Sequence, residues 1–213
     1  MVFTCEIRNC FINVSNIFSS HHDLICFIKV FTLSHSKTFI PDVYQDVYPI
    51  IMNIELRNGF TLPKEFEINF DLYPYSNIKA HQTIMRFTNT NGRHGNLGDR
   101  IPIIQMNSKR GNRLLTYYHI GTNKNRLVTT KNKFLTLNAK NSISIKQVKE
   151  GSDYKYKIYV DGNEEANILN SDPQIFENVR VLTGDFVGNS IPLDGRIENL
   201  KIFPGRCEII HFL

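Results

Sequence analysis

The sequence predicts an all-β protein, a two-sheet antiparallel jelly-roll sandwich. Three observations carry that expectation. Apolar residues recur at every second position from about residue 50 onward. The alternating runs are rich in β-branched and aromatic residues, and the gaps between them hold turn chemistry. No stretch of ten residues keeps a helical apolar period with caps. Many short strands at this spacing bury one face each by stacking as two sheets.

In chain order, residues 1–48 show no sustained period and read as an irregular N-terminal extension. His21, His22 and His35 are scattered among apolar residues there, and Asn13-Val14-Ser15 is a glycosylation sequon. The sandwich is expected over 49–204 and a short tail over 205–213. Strands are predicted at Ile50–Leu56, Glu65–Tyr73, Gln82–Thr88, Ile101–Asn107, Arg113–Gly121, Arg126–Thr130, Ser142–Lys149, Tyr154–Val160, Glu164–Leu169, Asn178–Gly184 and Arg196–Phe203. Turns are predicted at Arg57-Asn58-Gly59, Asn91-Gly92, Arg110-Gly111-Asn112, Lys149-Glu150-Gly151-Ser152 and Asp161-Gly162. Asp-Gly between alternating runs is a hairpin signal, because both residues tolerate the positive φ of a type I′ turn.

In "EFEINFDLY", Glu65 to Tyr73, the polar residues Glu65, Glu67, Asn69 and Asp71 alternate with Phe66, Ile68, Phe70 and Leu72. The apolar set is expected in the core and the polar set on the solvent side. Ile143, Ile145 and Val148 are expected to share one side with a break in phase at Gln147. Tyr154, Tyr156, Ile158 and Val160 are expected to alternate against Lys155, Lys157 and Tyr159. Burying a Val, Ile or Phe side chain contributes roughly 1.5–3 kcal/mol, and a one-residue slip would invert every strand.

The bulk composition narrows the classes further. The chain has 213 residues, 41% hydrophobic and 21% charged, which suits one all-β domain and not a disordered segment. The net charge of +5 is diffuse. Its densest run, with Lys124, Arg126, Lys131 and Lys133, reads as a solvated loop and strand edge, so no nucleic-acid partner is expected. The most apolar window, Leu24 to Leu33, is about half the length of a membrane span and contains Lys29. The first twenty residues lack a secretory signal pattern. Cys5, Cys10, Cys26 and Cys207 leave 27–206 free of cysteine. Disulfides are therefore not expected to hold the sandwich together, the spacing matches no zinc pattern, and the connectivity stays open.

Several blocks together carry a family resemblance: "TLPKEFEINFDLYP", "GDRIPII", "YKYKIYVDGNEEANILNSDPQIFENVRVLTGD" and "GRIENLKIF". They resemble the concanavalin A-like lectin/glucanase superfamily in its laminin-G-like branch, a domain recurrent in extracellular multidomain proteins of invertebrates. The resemblance covers about residues 50 to 203. It implies a fourteen-strand-type jelly roll, an extracellular setting, and glycan or protein ligands. Relatives commonly place Trp in the Gly-Asp loop and on the sheet; this chain has none.

The resemblance also frames the candidate sites. Hydrolytic members carry two glutamates on one strand with an aspartate between; here Glu67-Ile68-Asn69-Phe70-Asp71 puts Asn in the middle. Retaining glycosidases hold their carboxyl groups about 5–5.5 Å apart, whereas same-face neighbours on a strand are about 6.6–6.8 Å apart and i,i+4 positions twice that. A non-catalytic module is expected; a divergent hydrolase using Glu67 and Asp71, and a purely structural domain of a larger chain, are the alternatives. Laminin-G-like domains often place calcium at one rim. Asp99, Asp185, Asn189 and Asp194 are the candidate ligands here, and the acids are few, so binding would be weak. The competing reading has Asp99 and Asp185 accepting turn hydrogen bonds, with Arg100 paired to one of them. Tyr73, Tyr75 and Tyr118, with Asp99 and Arg100, are the candidates for touching a ligand. His81, His94 and His119 are single histidines in no catalytic arrangement, and no nucleophile elbow or phosphate loop is present.

Overall fold

A computed structural model describes residues 47–203, apart from 79, 93–94 and 186–188, together with the backbone at 6–7, 10–11 and 42–43. The four cysteine side chains, His94, the sequon and the tail lie outside the described residues. One compact unit is Pro41–Gly205. A second comprises 1–40 and 206–213 and contains a short ribbon in which β1 (Glu6–Ile7) pairs antiparallel with β2 (Cys10–Phe11).

The larger unit is a sandwich of two seven-stranded sheets. Its strands are β3 (Asp42–Val43), β4 (Val47–Pro49), β5 (Ile54–Leu62), β6 (Phe66–Pro74), β7 (His81–Thr88), β8 (Ile103–Asn107), β9 (Arg113–Ile120), β10 (Asn123–Thr129), β11 (Asn141–Glu150), β12 (Asp153–Val160), β13 (Asn163–Asn170), β14 (Phe176–Thr183), β15 (Ile191–Pro192) and β16 (Gly195–Phe203). One sheet runs β10-β9-β8-β7-β14-β5, with β15 on β7. The other runs β13-β12-β11-β6-β16-β3, with β4 also on β16. We call them the covered and the open sheet. The one helical element among the described residues is a 3-10 turn, Ser108–Arg110.

Alternation produces the core. Phe66, Ile68, Phe70 and Leu72 of β6 are buried with Ile143 and Ile145 of β11, Tyr156, Ile158 and Val160 of β12, and Ile197, Leu200 and Ile202 of β16. They meet Met85, Phe87, Ile104, Met106, Leu114, Val128 and Val181 of the covered sheet. The predicted phase break in β11 is absent. Gln147 is buried in step with Ile145, its amide donating to the Lys64 carbonyl and accepting from Asn170, while Val148 is half-buried on the outer side. A buried amide keeps the phase because both ends find partners.

The Asp161-Gly162 hairpin forms as predicted, with φ of 49° and 79°. Arg57-Asn58-Gly59 is not a turn. It is a bulge inside β5, where Arg57 pairs Val181 and Phe60 pairs Val179, and the strand runs on to Leu62. The predicted strand Ile50–Leu56 is correspondingly split, and β4 and β5 flank a turn that holds Asn53 at φ 58°.

The two sheets differ on their outer faces. In β7 every residue after His81 is buried on both sides. Gly92 and Asp99 on one side and Asp185 on the other approach that outer face, and Arg86 fastens them. Its Nε donates to the Asp99 carbonyl (2.9 Å), its Nη2 to the Gly92 carbonyl (2.6 Å), and its Nη1 pairs with the Asp185 carboxylate. Thr83 and Ser190 share a hydroxyl hydrogen bond at 2.9 Å nearby. Breaking a buried ion pair leaves an uncompensated charge. Arg86→Ala is therefore expected to destabilise the fold by about 3–5 kcal/mol in urea denaturation; a loss below about 1 kcal/mol, the scale of an exposed pair, would contradict the fastening role.

Candidate ligand-binding face

The outer face of the open sheet carries the polar half of each alternating strand. Register places these residues in rows across the strands. Arg196 stands beside Tyr73, and Glu198 beside Asp71 and Ser142. Lys201, Asn69, Ser144, Tyr159 and Glu164 form one row, and Phe203, Glu67, Lys146, Lys157 and Asn167 the next. Strands about 4.8 Å apart and same-face residues about 6.8 Å apart make the four-strand, three-row centre about 14 Å on a side. Asn69, Ser142 and Ser144 are short, and Lys146, Tyr159, Lys201 and Phe203 are longer. The difference in reach leaves an open hollow of about 670 Å³ with a polar floor.

A bulge in β16 shapes one wall. Between Glu198 and Lys201 the register shifts, Asn199 takes φ 54°, and Leu200 turns into the core. Asn199 thereby reaches the outer face and donates to Asp71 Oδ2 at 2.8 Å. Lys140 Nζ lies 2.8 Å from the same oxygen, and Ser142 Oγ donates to Oδ1 at 2.8 Å. Burial works to raise the Asp71 pKa, but the hydrogen bonds from Lys140, Asn199 and Ser142 outweigh it and hold the carboxyl below its ordinary value. Glu67 accepts from Asn69 Nδ2 at 3.0 Å and from Ser144 Oγ at 3.4 Å. Glu67 and Asn69 of this row are half-buried on the outer side, whereas Asp71, expected toward solvent, is buried among its donors at 7% exposure. Both Asp71 oxygens are thus engaged by protein donors.

Tyr73 and Tyr75 stand at the end of this face. Arg196 lies over the Tyr73 ring, 4.1 Å from its centroid. Its Nη1 donates to Tyr75 Oη at 2.5 Å and its Nε to Glu198 Oε1 at 2.6 Å. Tyr75 is 40% exposed. At the opposite side Tyr159 borders the hollow with Lys146 Nζ 4.6 Å over its ring, and its hydroxyl donates to Glu164 at 2.8 Å. Burial, then the Glu164 carboxylate, push the Tyr159 phenol up to about 12, so it is a neutral donor at pH 7.

The other sequence candidates fall elsewhere. Tyr118 is not on a ligand face. It is fully buried, stacked on Tyr156 with centroids 4.8 Å apart and edge-on to Phe66 and Phe176. Strand parity sends Tyr117 outward instead, under Arg100 at 5.1 Å. Arg100 Nη1 donates to Asn125 Oδ1 at 2.9 Å. The two Gly-Asp loops do converge, but on the guanidinium of Arg86. Asp99 Oδ2 accepts from the Gly95 and Asn96 amides at 3.1 and 2.9 Å, and Oδ1 from Thr90 Oγ1. A Cβ at Gly92 would run into that carboxylate, so the loop needs glycine there. Asp185 pairs with Arg86. Asn189 and Asp194 are exposed. Among the described residues no three acids, histidines or cysteines gather in one place. His119 is buried, its Nε2 3.5 Å from Asp172 Oδ2.

Sequence reasoning missed Asn199, Lys140, Tyr159 and Arg196 as parts of one face. One signal was present: Ile197 and Leu200 are three apart, an odd spacing for two core residues of one strand, which marks a bulge.

No family model and no curated protein sequence matches the chain. Solved structures share its fold. The CBM40 of a Ruminococcus gnavus IT-sialidase, bound to α2,3-sialyllactose, superimposes with a TM-score of 0.51 at 14% identity over 76% of this chain and 95% of that one. A leech intramolecular trans-sialidase, complexed with 2,7-anhydro-Neu5Ac, gives 0.51 at 12% identity over 79% of this chain and 27% of that enzyme. At these identities the likeness is one of lectin-like β-sandwich fold.

Asp71 has a depressed folded pKa, so its stabilisation is fully present above the unfolded value of 3.8 and is lost as pH falls toward the folded one. The stability difference between wild type and Asp71→Asn is expected to be largest at neutral pH and to shrink below pH 3.8. Urea denaturation across that range measures it, and a pH-independent difference would contradict the ionised cluster.

Proposed function

We propose that this chain is a non-catalytic recognition module that binds a glycan on the outer face of its open sheet. The hollow floored by Asn69, Ser142 and Ser144 carries the reading. It offers an amide and two hydroxyls at the bottom of a broad depression, the donor and acceptor set that sugar hydroxyls need. Tyr73, Tyr75 and Tyr159 border the same face and supply ring surface. The CBM40 likeness supports the reading, since that module is bound to sialyllactose. The laminin-G-like resemblance extends it to an extracellular module of a larger adhesive protein. A hydrolase is disfavoured because both Asp71 oxygens are already engaged, Oδ1 by Ser142 and Oδ2 by Asn199 and Lys140. Calcium is no part of the proposal, because Asp99 and Asp185 are already engaged.

A glycan array probed with wild type and with Ser144→Tyr tests this. Ser144 lies between Asn69 and Tyr159 in register, so a tyrosine there fills the hollow without touching the core. Wild type is expected to give discrete signals, equal in calcium and in chelator, and Ser144→Tyr to lower them at least about tenfold, or about 1.4 kcal/mol. A flat array under both conditions would replace the proposal with a structural role.

A further inference from the structure

We propose that the hollow takes an acidic saccharide, its carboxylate or sulfate held by the ammonium groups of Lys146 and Lys201. This rests on the glycan reading above and narrows it.

The inference comes from which charges on the face are already engaged. Asp71 is the carboxylate lining the hollow, and both its oxygens accept from Ser142, Asn199 and Lys140. Lys140 beside the hollow is thereby paired. Lys157, one strand beyond Lys146, lies 2.5 Å from Glu150 and 3.7 Å from Glu164. Lys146 and Lys201 line the hollow itself, and among the described residues neither makes an ion pair within 4 Å. Glu67 stands opposite Lys146 in register, yet its carboxylate is turned to Asn69 and Ser144. The Tyr159 phenol stays neutral. Two cations therefore border a polar floor on which the nearest acids are occupied by other donors, an arrangement complementary to an anion.

The register also fits a two-point grip. Lys201 and Lys146 are two strands and one row apart, about 12 Å between Cα atoms by standard strand spacing. They flank the Asn69–Ser144 floor from opposite sides, so two flexible four-carbon stems converge on one substituent between them. Lys146 now rests over the Tyr159 ring. Moving its ammonium onto an anion would uncover that ring face for the sugar's C–H groups, so charge recognition and stacking are coupled.

Calorimetric titration with lactose, 3′-sialyllactose, 3′-sulfolactose and a glucuronic-acid disaccharide tests the class and separates carboxylate from sulfate. At least one acidic probe is expected to bind about tenfold more tightly than lactose. Its affinity should fall as NaCl rises from about 50 to about 500 mM. Lys146→Gln and Lys201→Gln are each expected to lower it about three- to tenfold and to flatten its NaCl dependence. Equal affinity for lactose and the acidic probes, unmoved by the lysine substitutions but abolished by Ser144→Tyr, would overturn the acidic class and leave the glycan face standing. If none of the four probes binds and the array is flat, both readings fall.

Discussion

Arg86 lies at the middle of β7 with 2% of its surface exposed, and its guanidinium reaches two separate loops. That reach determines which part of the sandwich meets solvent. The Gly92 and Asp99 carbonyls and the Asp185 carboxylate each take one of its nitrogens. The loops carrying them are drawn over the covered sheet, where Thr83, Ile103, Gln105 and Leu115 are consequently buried. A guanidinium suits the position because its planar fork satisfies several acceptors at fixed angles and stays charged when desolvated. With the central strands β7 and β8 closed on both sides, the open sheet offers a broad polar face to solvent.

The open face owes its shape to side-chain length and to one irregularity. Regular alternation delivers polar residues outward at every second position, which by itself makes a flat wet surface. Serine at 142 and 144, asparagine at 69, and the bulge at Asn199 convert that surface into a depression. The acids along β6 serve the framework. Asp71 gathers three donors from β16, β11 and the 130–140 loop, so it ties neighbouring strands together at the edge of the hollow. Hydrogen bonds from Lys140, Asn199 and Ser142 outweigh burial there and hold the Asp71 carboxyl below its ordinary value.

The fold was largely legible in the sequence because period two is a local signal read along a single strand. Phe66, Ile68 and Phe70 are buried as their spacing requires, and Asp161-Gly162 turns as its residue types require. Arg57-Asn58-Gly59 misled because a bulge and a turn call on the same residue types, and only the partner strand β14 separates them. Gln147 misled because polarity was read as exposure, whereas its burial depends on Asn170 and Lys64, distant in sequence. The site was far less legible. Tyr73 and Tyr75 do stand on the open face, but choosing Tyr118 over Tyr117 needed the parity of β9 relative to the core. Placing Asp99 and Asp185 near one another was correct in outline; the cation between them was an arginine thirteen residues before Asp99, which no loop motif marks.

The most direct test is to map ligand contacts by amide chemical-shift changes during titration with the tightest-binding glycan. The expected result is a contiguous set of shifts at Asn69, Asp71, Ser142, Ser144, Tyr159 and Asn199, crossing four strands of the open sheet. Shifts confined to loops 95–100 and 184–190 would place the ligand over the covered sheet and contradict the account.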